Sequence, residues 1–213
     1  MSKNVTIVLV DDHAVVRAGV RRLLEQEPLF EVIGEAESGE KAYQLFGQLK
    51  PDVMVMDLSM PGMGGLEAIR RILMRHERAK ILVLSMHEDL SFANQALKLG
   101  AKGYLLKNTL GDDLVKSIQV VSQGEIFLSD EIAKKMAMQS ISGQQDPIHE
   151  LSAREFEIFR LLAEGFEIDA IAATLHISSK TVSNYQTMIK QKLDISTPVE
   201  LIRYAIKTGV ITN

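Results

Sequence analysis

Five side chains able to bind a cation or a phosphoryl group stand at the ends of four short apolar runs. Asp11 and Asp12 follow VTIVLV (5–10), Asp57 closes DVMVMD (52–57), Ser85 closes KILVLS (80–85) and Lys107 closes KGYLLK (102–107). If the runs are parallel strands of one sheet, their ends share an edge and the three carboxylates converge there. Crowded like charges raise each other's pKa unless a cation offsets them. A hard divalent ion with oxygen ligands, usually Mg2+ where phosphate is present, meets that need. The Lys107 ammonium can hold an incoming phosphoryl oxygen as a point charge, and the Ser85 hydroxyl can donate a hydrogen bond to the same oxygen. A carboxylate, a metal, a lysine and a hydroxyl suffice for phosphoryl transfer to an aspartate nucleophile. Each acid taken singly reads as a solvated cap of the helix after it. All five groups on four different runs favour a shared pocket instead. His13 is read as the first residue of a helix beside that pocket rather than as a ligand or base. Met54, Met56, Met60 and Met63 are read as core and loop packing, not as a cofactor site.

These groups meet only if the runs are strands, and the intervening chain supports that. With FEVIGEA (30–36) there are five short, β-branched or aliphatic runs, as buried parallel strands require. Between and after them lie VVRAGVRRLLEQ, GEKAYQLFGQL, GLEAIRRILMRH, LSFANQALKLG and TLGDDLVKSIQVVSQG, all with helical spacing. Five βα units predict an α/β domain over residues 1–124, a doubly wound, five-stranded parallel sheet of flavodoxin-like type. Residues 125–148 hold a helix-like stretch, SDEIAKKMAMQS, and then SGQQDP, whose composition reads as a flexible linker. From there on the chain has no strand signal. LSAREFEIFRLLAEG, IDAIAATL, SKTVSNYQTMIKQKL and PVELIRYAIKTG predict an all-α, four-helix domain over 149–213.

In that domain Ser152 and Glu155 form an S-x-x-E capping box, ahead of Phe156, Phe159, Leu162 and Ala163, with Gly165 ending the helix. Ile168, Ile171, Ala172 and Leu175 form the stripe of a short second helix. Ser178 or Ser179 caps the third. There Val182, Tyr185, Ile189 and Leu193 share one stripe, while Lys180, Ser183, Asn184, Thr187, Lys190 and Gln191 face the other way. Short hydrogen-bonding groups in the middle suit base edges, and cations toward the ends suit phosphates. The charge behind this reading is local: residues 180–213 carry five Lys/Arg against two Asp/Glu, but 149–213 carry seven against eight. A polar solvated face is the competing reading.

The whole chain has a net charge of −4, which argues weakly against nucleic acid and leaves any such claim to local pattern. The chain has no Cys, which excludes disulfide and thiol chemistry and fits a reducing compartment. The opening MSKNVTIVLVDD is too short and too acidic for a signal peptide, and no run approaches about 18 apolar residues. A cytoplasmic protein without membrane contact is therefore expected.

VDDH (10–13), MDLSMPGMGGLEA (56–68), VLS (83–85) and GAKGYLLK (100–107) resemble the receiver domains of bacterial two-component response regulators. The resemblance implies that Asp57 accepts a phosphoryl group from a sensor histidine kinase. It implies that Asp11 and Asp12 bind Mg2+ with Asp57 and the backbone carbonyl of Ser59, and that Lys107 contacts the phosphoryl group. Ser85 and Tyr104 would move together on phosphorylation, and Ser59 and His87 fall at positions that tune phosphoryl lifetime. The C-terminal segments are similar to the LuxR-type helix-turn-helix domain of the NarL/FixJ subfamily. Together RAGVRR, MPGMGGLEA and TVSNYQ most resemble regulators of the GacA/UvrY type.

Carried over, Lys180–Leu193 is a recognition helix for double-stranded promoter DNA. Ser183, Asn184 and Thr187 lie at base-reading positions, and Lys180, Thr181, Lys190 and Lys192 near phosphates. Pro198–Thr208 would be a dimerisation helix joining phosphorylated chains, and RNA polymerase is the further partner that such a regulator can recruit. Two departures stand out. Glu167, Ile168, Asp169 and Ala170 replace a polar stretch that often contacts phosphate, and Ser183 and Asn184 stand where several relatives use Lys.

Two other classes compete with a transcription regulator. Aspartyl phosphatases also use a strand-end Asp on an α/β sheet, but typically need a second acid two residues later. Ser59 stands there, so an enzyme is not expected. A regulator whose helix-turn-helix acts on proteins rather than DNA is the third reading.

Overall fold

The computed structural model describes residues 4–142 and 146–211; positions 143–145, at the centre of the expected linker, lie outside the described residues. The chain divides into two compact units, one of residues up to Glu88 with Ala96–Ala133, the other of Asp89–Gln95 with residues from Lys134 onward.

The first unit alternates strands and helices. Its order is β1 (Val5–Val10), α1 (Ala14–Leu24), β2 (Phe30–Ala36), α2 (Gly39–Leu49), β3 (Val53–Met56) and α3 (Gly65–Arg75). Then follow β4 (Ile81–Ser85), α4 (Leu90–Leu99, of the second unit as far as Gln95), β5 (Gly103–Leu106), α5 (Leu110–Ser122) and β6 (Phe127–Leu128), and after them α6 (Asp130–Ser142), which belongs to the second unit from Lys134. The strands form one parallel sheet in the order β2-β1-β3-β4-β5-β6. Period-two alternation splits the buried side chains between its faces. Ile7, Leu9, Val53, Val55, Leu82, Leu84 and Leu105 share a core with Val20 and Leu24 of α1 and Leu114, Ile118 and Val121 of α5. Their neighbours Val8, Val10, Met54, Met56, Val83 and Tyr104 are buried too, which continuous apolar runs with helices on both sheet faces explain.

The sheet has six strands, not the five expected. Phe127 N–H donates to the Lys102 carbonyl at 3.0 Å and Ser129 N–H to that of Tyr104 at 3.0 Å, adding an edge strand to β5. Two residues are too few to show a period, and they fall in the segment read as linker. The four methionines behave as packing: Met54, Met56, Met60 and Met63 are all buried.

The strand order reverses between β1 and β3, since the chain leaves β1 for one neighbour and returns on its other side. Loops diverge at such a point and leave a crevice at the carboxyl ends. Asp11 and Asp12 follow β1 and Asp57 follows β3, so the three acids flank that crevice. Gly65 lets α3 begin close beside it: a Cβ there would stand 2.1 Å from the Asp57 carbonyl oxygen.

The second unit contains α7 (Ala153–Ala163), α8 (Ile168–Leu175), α9 (Ser179–Leu193) and α10 (Pro198–Lys207). The Ser152–Glu155 capping box starts α7: Ser152 Oγ accepts from Glu155 N at 3.3 Å, and Glu155 Oε2 from Ser152 N at 2.7 Å. Ser178, rather than Ser179, caps α9 through Thr181 N at 3.1 Å. Thr197 and Glu200 make a second capping box for α10; T-x-x-E was in plain sight in TPVE, although sequence reading passed over it. Val182, Ile189 and Leu193 of the α9 stripe are buried and Tyr185 is half-buried.

Candidate functional site

The pocket at the β1 and β3 ends is built by groups donated from short turns. Asp11 is fixed by His13 N–H, which donates to Asp11 Oδ1 at 2.8 Å, and by Arg17, whose Nη1 donates to the Asp11 carbonyl at 2.6 Å. Arg17 is itself held by Glu35 Oε2 at 2.8 Å. Sequence reading missed this strut because Glu35 lies on another strand and the spacing carries no signal. Asp57, 2% exposed, has Oδ1 accepting from Leu58 N–H at 2.8 Å. Lys107 Nζ, coming off β5, lies 2.7 Å from Asp11 Oδ2 and 2.9 Å from Asp57 Oδ2.

Burial pushes the Asp57 carboxyl above its ordinary value; the charge of Lys107 opposes that rise and Asp11 adds to it. For Lys107, burial acts to lower the ammonium pKa, but its close contacts with the Asp11 and Asp57 carboxylates outweigh burial and hold it above the ordinary lysine value. The lysine therefore stays cationic while the acids beside it lack a full counter-charge.

The donors fit a hard divalent cation. Ligand atoms of Asp11, Asp12, His13 and Asp57 all lie within 4.8 Å of one another. Asp11 Oδ2, Asp12 Oδ1 and Asp57 Oδ2 are buried and receive no hydrogen bond; for the first and last, the nearby charge is the Lys107 ammonium. Carboxylate oxygens in this arrangement are the donor set that Mg2+ takes.

Ser85 and Tyr104 meet through His87. Ser85 Oγ accepts from His87 N–H at 3.1 Å, and the fully buried Tyr104 donates its hydroxyl to the His87 carbonyl at 2.9 Å. The His87 ring, Nε2, lies 2.8 Å from Ser59 Oγ, so the β3 and β4 loops are bonded across the pocket mouth. His13, expected to be the first residue of α1, stands one position earlier as its N-cap, and its side chain makes no capping bond.

The second site is the outer face of α9. Lys180, Asn184, Thr187, Gln191 and Lys192 are exposed, while Thr181, Ser183 and Lys190 are half-buried. Ser183 Oγ donates to the Ser179 carbonyl and Thr187 Oγ1 to the Ser183 carbonyl, each at 3.0 Å, so both hydroxyls are held against the helix. Lys192 turns inward: its Nζ is 2.8 Å from Glu155 Oε2. Asp169, one of the departures in α8, accepts from Ser179 Oγ at 2.5 Å and ties the two helices together. Arg154 donates to the Leu175 carbonyl at 2.8 Å, closing the end of α8 just before the turn, a contact no local pattern announces. Among the described residues no helix is long and apolar enough to cross a membrane.

Comparison with known proteins gives concordant results. Residues 7–119 match the family model of the response regulator receiver domain, and residues 149–205 that of the bacterial regulatory proteins of the luxR family. The transcriptional regulatory protein DegU of Brevibacillus brevis is 36% identical over 222 residues, covering 96% of this chain and 94% of that protein. The response regulator UvrY of Escherichia coli (strain K12) is 37% identical over 208 residues, covering 97% of this chain and 95% of that protein. The structure of RcsB from Salmonella enterica serovar Typhimurium, bound to promoter rprA in the presence of phosphomimetic BeF3-, matches with a TM-score of 0.74 at 30% identity. It covers 95% of this chain and 98% of that one.

Proposed function

Because the chain belongs to the two-component response regulators that join a receiver domain to a LuxR-type helix-turn-helix domain, we propose that Asp57 is its phosphoacceptor and α9 its DNA-reading helix. The observation that carries the first half is the buried Asp57 carboxylate, 2.9 Å from Lys107 Nζ and flanked by Asp11 and Asp12. Asp57 attacks the phosphorus of a phosphohistidine on a sensor histidine kinase; the P–N bond breaks, imidazole leaves and an acyl phosphate forms. Asp11, Asp12, Asp57 and the Ser59 carbonyl would hold Mg2+, which would supply charge neutralisation for the transferring oxygens. The Leu58 amide fixes the plane of the nucleophile through Oδ1. The Lys107 ammonium then accompanies the charge from the carboxylate onto the phosphoryl oxygens.

Ser85 supplies the switch. Its hydroxyl, turning to donate to a phosphoryl oxygen, leaves the His87 N–H that it now accepts from. Tyr104 is bonded to the same residue and follows it. A phosphoryl group can act elsewhere only through such a difference between two states.

In the second half, Ser183, Asn184 and Thr187 read base edges of promoter DNA, and Lys180, Thr181 and Lys190 meet phosphates. The Glu155 contact makes Lys192 the weakest member of that set. Val199, Ile202 and Ile206 of α10 are exposed at spacings of three and four, an apolar face suited to a homodimer of phosphorylated chains. A promoter-bound dimer is placed to recruit RNA polymerase.

Acetyl phosphate with Mg2+ provides the test. Wild type should gain one acid-labile phosphoryl group, Asp57→Asn none, and Asp12→Ala much less than wild type. Retained labelling of Asp57→Asn moves the nucleophile elsewhere.

A further inference from the structure

His13 stands inside the acidic pocket, and neither the transfer chemistry nor the fold uses its ring. Its side chain leaves the α1 cap unmade and is 65% exposed, so it is free to meet an ion from solvent. Nδ1 lies 2.9 Å from Asp12 Oδ1 and 3.4 Å from Asp11 Oδ1. Close as the first pair is, Asp12 Oδ1 receives no hydrogen bond. A nitrogen and an oxygen at that separation but out of hydrogen-bond alignment need another reason to converge.

A shared metal supplies one. Two neighbouring ligands of an octahedral ion, each about 2.1 Å from the metal, stand about 3 Å apart, and each lies off the other's bonding axis. The Asp12–His13 pair has that separation and that misalignment, and Asp57 offers an oxygen within 4.8 Å of both. The geometry points to His13 Nδ1 as a further ligand of the receiver cation. The site then offers mixed nitrogen and oxygen donors and prefers Mn2+ and later first-row divalent ions to Mg2+. Imidazole is a poor partner for Mg2+, which takes oxygen and retains water, but a good one for transition ions. This inference rests on the reading of the acidic pocket as the cation site. The competing account is an ordinary Asp–His ion pair, which would not distinguish one divalent ion from another.

The full-length protein is titrated with MgCl2 and with MnCl2, and the Mn2+-loaded protein is examined by pulsed electron paramagnetic resonance. Wild type should show an imidazole-type 14N coupling to the bound Mn2+. In His13→Ala and in the bulkier His13→Gln that coupling should vanish. Mn2+ should bind about tenfold more weakly in both, while Mg2+ binding changes less than about twofold. Absence of the coupling from wild type, its persistence in either variant, or equal weakening of both ions overturns the role of His13. Asp12→Ala distinguishes that failure from failure of the pocket: if it leaves both cations as tightly bound as in wild type, the acidic pocket is not the cation site.

Discussion

Lys192 is 35% exposed at its side chain and Glu155 3%, with 2.8 Å between Nζ and Oε2. The lysine thus neutralises the buried carboxylate that also completes the α7 capping box. Lys192→Ala should lower stability by about 1–2 kcal/mol, less than a fully buried pair would cost because water screens the ammonium. It should leave the salt dependence of DNA binding unchanged. Lys190→Ala should do the reverse, lowering the salt slope by about one with little effect on unfolding. Asn184→Ala should cost about 1–3 kcal/mol on a preferred sequence and much less on random DNA. Urea denaturation and binding isotherms across salt check all three; a slope change of one in Lys192→Ala would return that residue to the phosphates. The resemblance set Lys192 near phosphates, but nothing in the local sequence points to a partner 37 residues away. Asp11, Asp12, Asp57, Ser85 and Lys107 were legible because each ends a strand, and strand ends of one parallel sheet must share an edge. The bonds through Arg17 and His87 were not, because they join turns whose approach only the folded sheet decides.

Elements were legible where a period ran long enough. β1 to β5 and the helices between them repeat apolar positions over several residues, whereas β6 has only Phe127 and Leu128 and joins through the backbone. The meeting of β3 and α3 is likewise a backbone matter: a Cβ on Gly65 would lie 2.1 Å from the Asp57 carbonyl oxygen and 2.7 Å from Leu58 Cα. Gly65→Ala should therefore cost about 1–3 kcal/mol and slow labelling of Asp57 by displacing its loop. Gly19→Ala, in the middle of α1 with open space around its Cβ, should be neutral or stabilising by up to about 1 kcal/mol. Equal effects of the two substitutions would remove the close approach from the account.

Two buried helix carboxylates contribute to the acid limit. Burial alone would raise Glu67, but Arg70 and Arg71 outweigh it; burial would raise Glu155, but Lys192 and the Ser152 bonds outweigh it. Both therefore lie below the ordinary 4.5 in the folded chain. The unfolded chain binds more protons, so their stabilisation is present above pH 4.5 and is lost as pH falls through the folded values. Asp57, raised rather than lowered, acts in the opposite sense, so the measurement is best made in Asp57→Asn. Its urea midpoint should fall between about pH 5 and about pH 3, and less steeply with Glu67→Gln added. An unchanged midpoint over that range would contradict these pairings.

For the whole molecule, the total charge was a poor guide. The chain has net charge −4, with seven basic and eight acidic residues in 149–213, so on the proposed reading the placement of a few groups on α9, not the total charge, carries DNA binding. The switch from strand-and-helix alternation to helices alone marked the change of architecture in the sequence. What the sequence could not give is the energy linking the two activities, since that is a difference between two states of the folded chain. The measurement that bears on it most directly is the affinity of the full-length protein for its preferred genomic DNA fragments, before and after treatment with acetyl phosphate and Mg2+. Wild type should tighten by about fivefold or more, while Asp57→Asn should bind equally under both conditions. Wild-type affinity unchanged by phosphorylation, or Asp57→Asn tightening as much as wild type, would contradict control of DNA binding through Asp57.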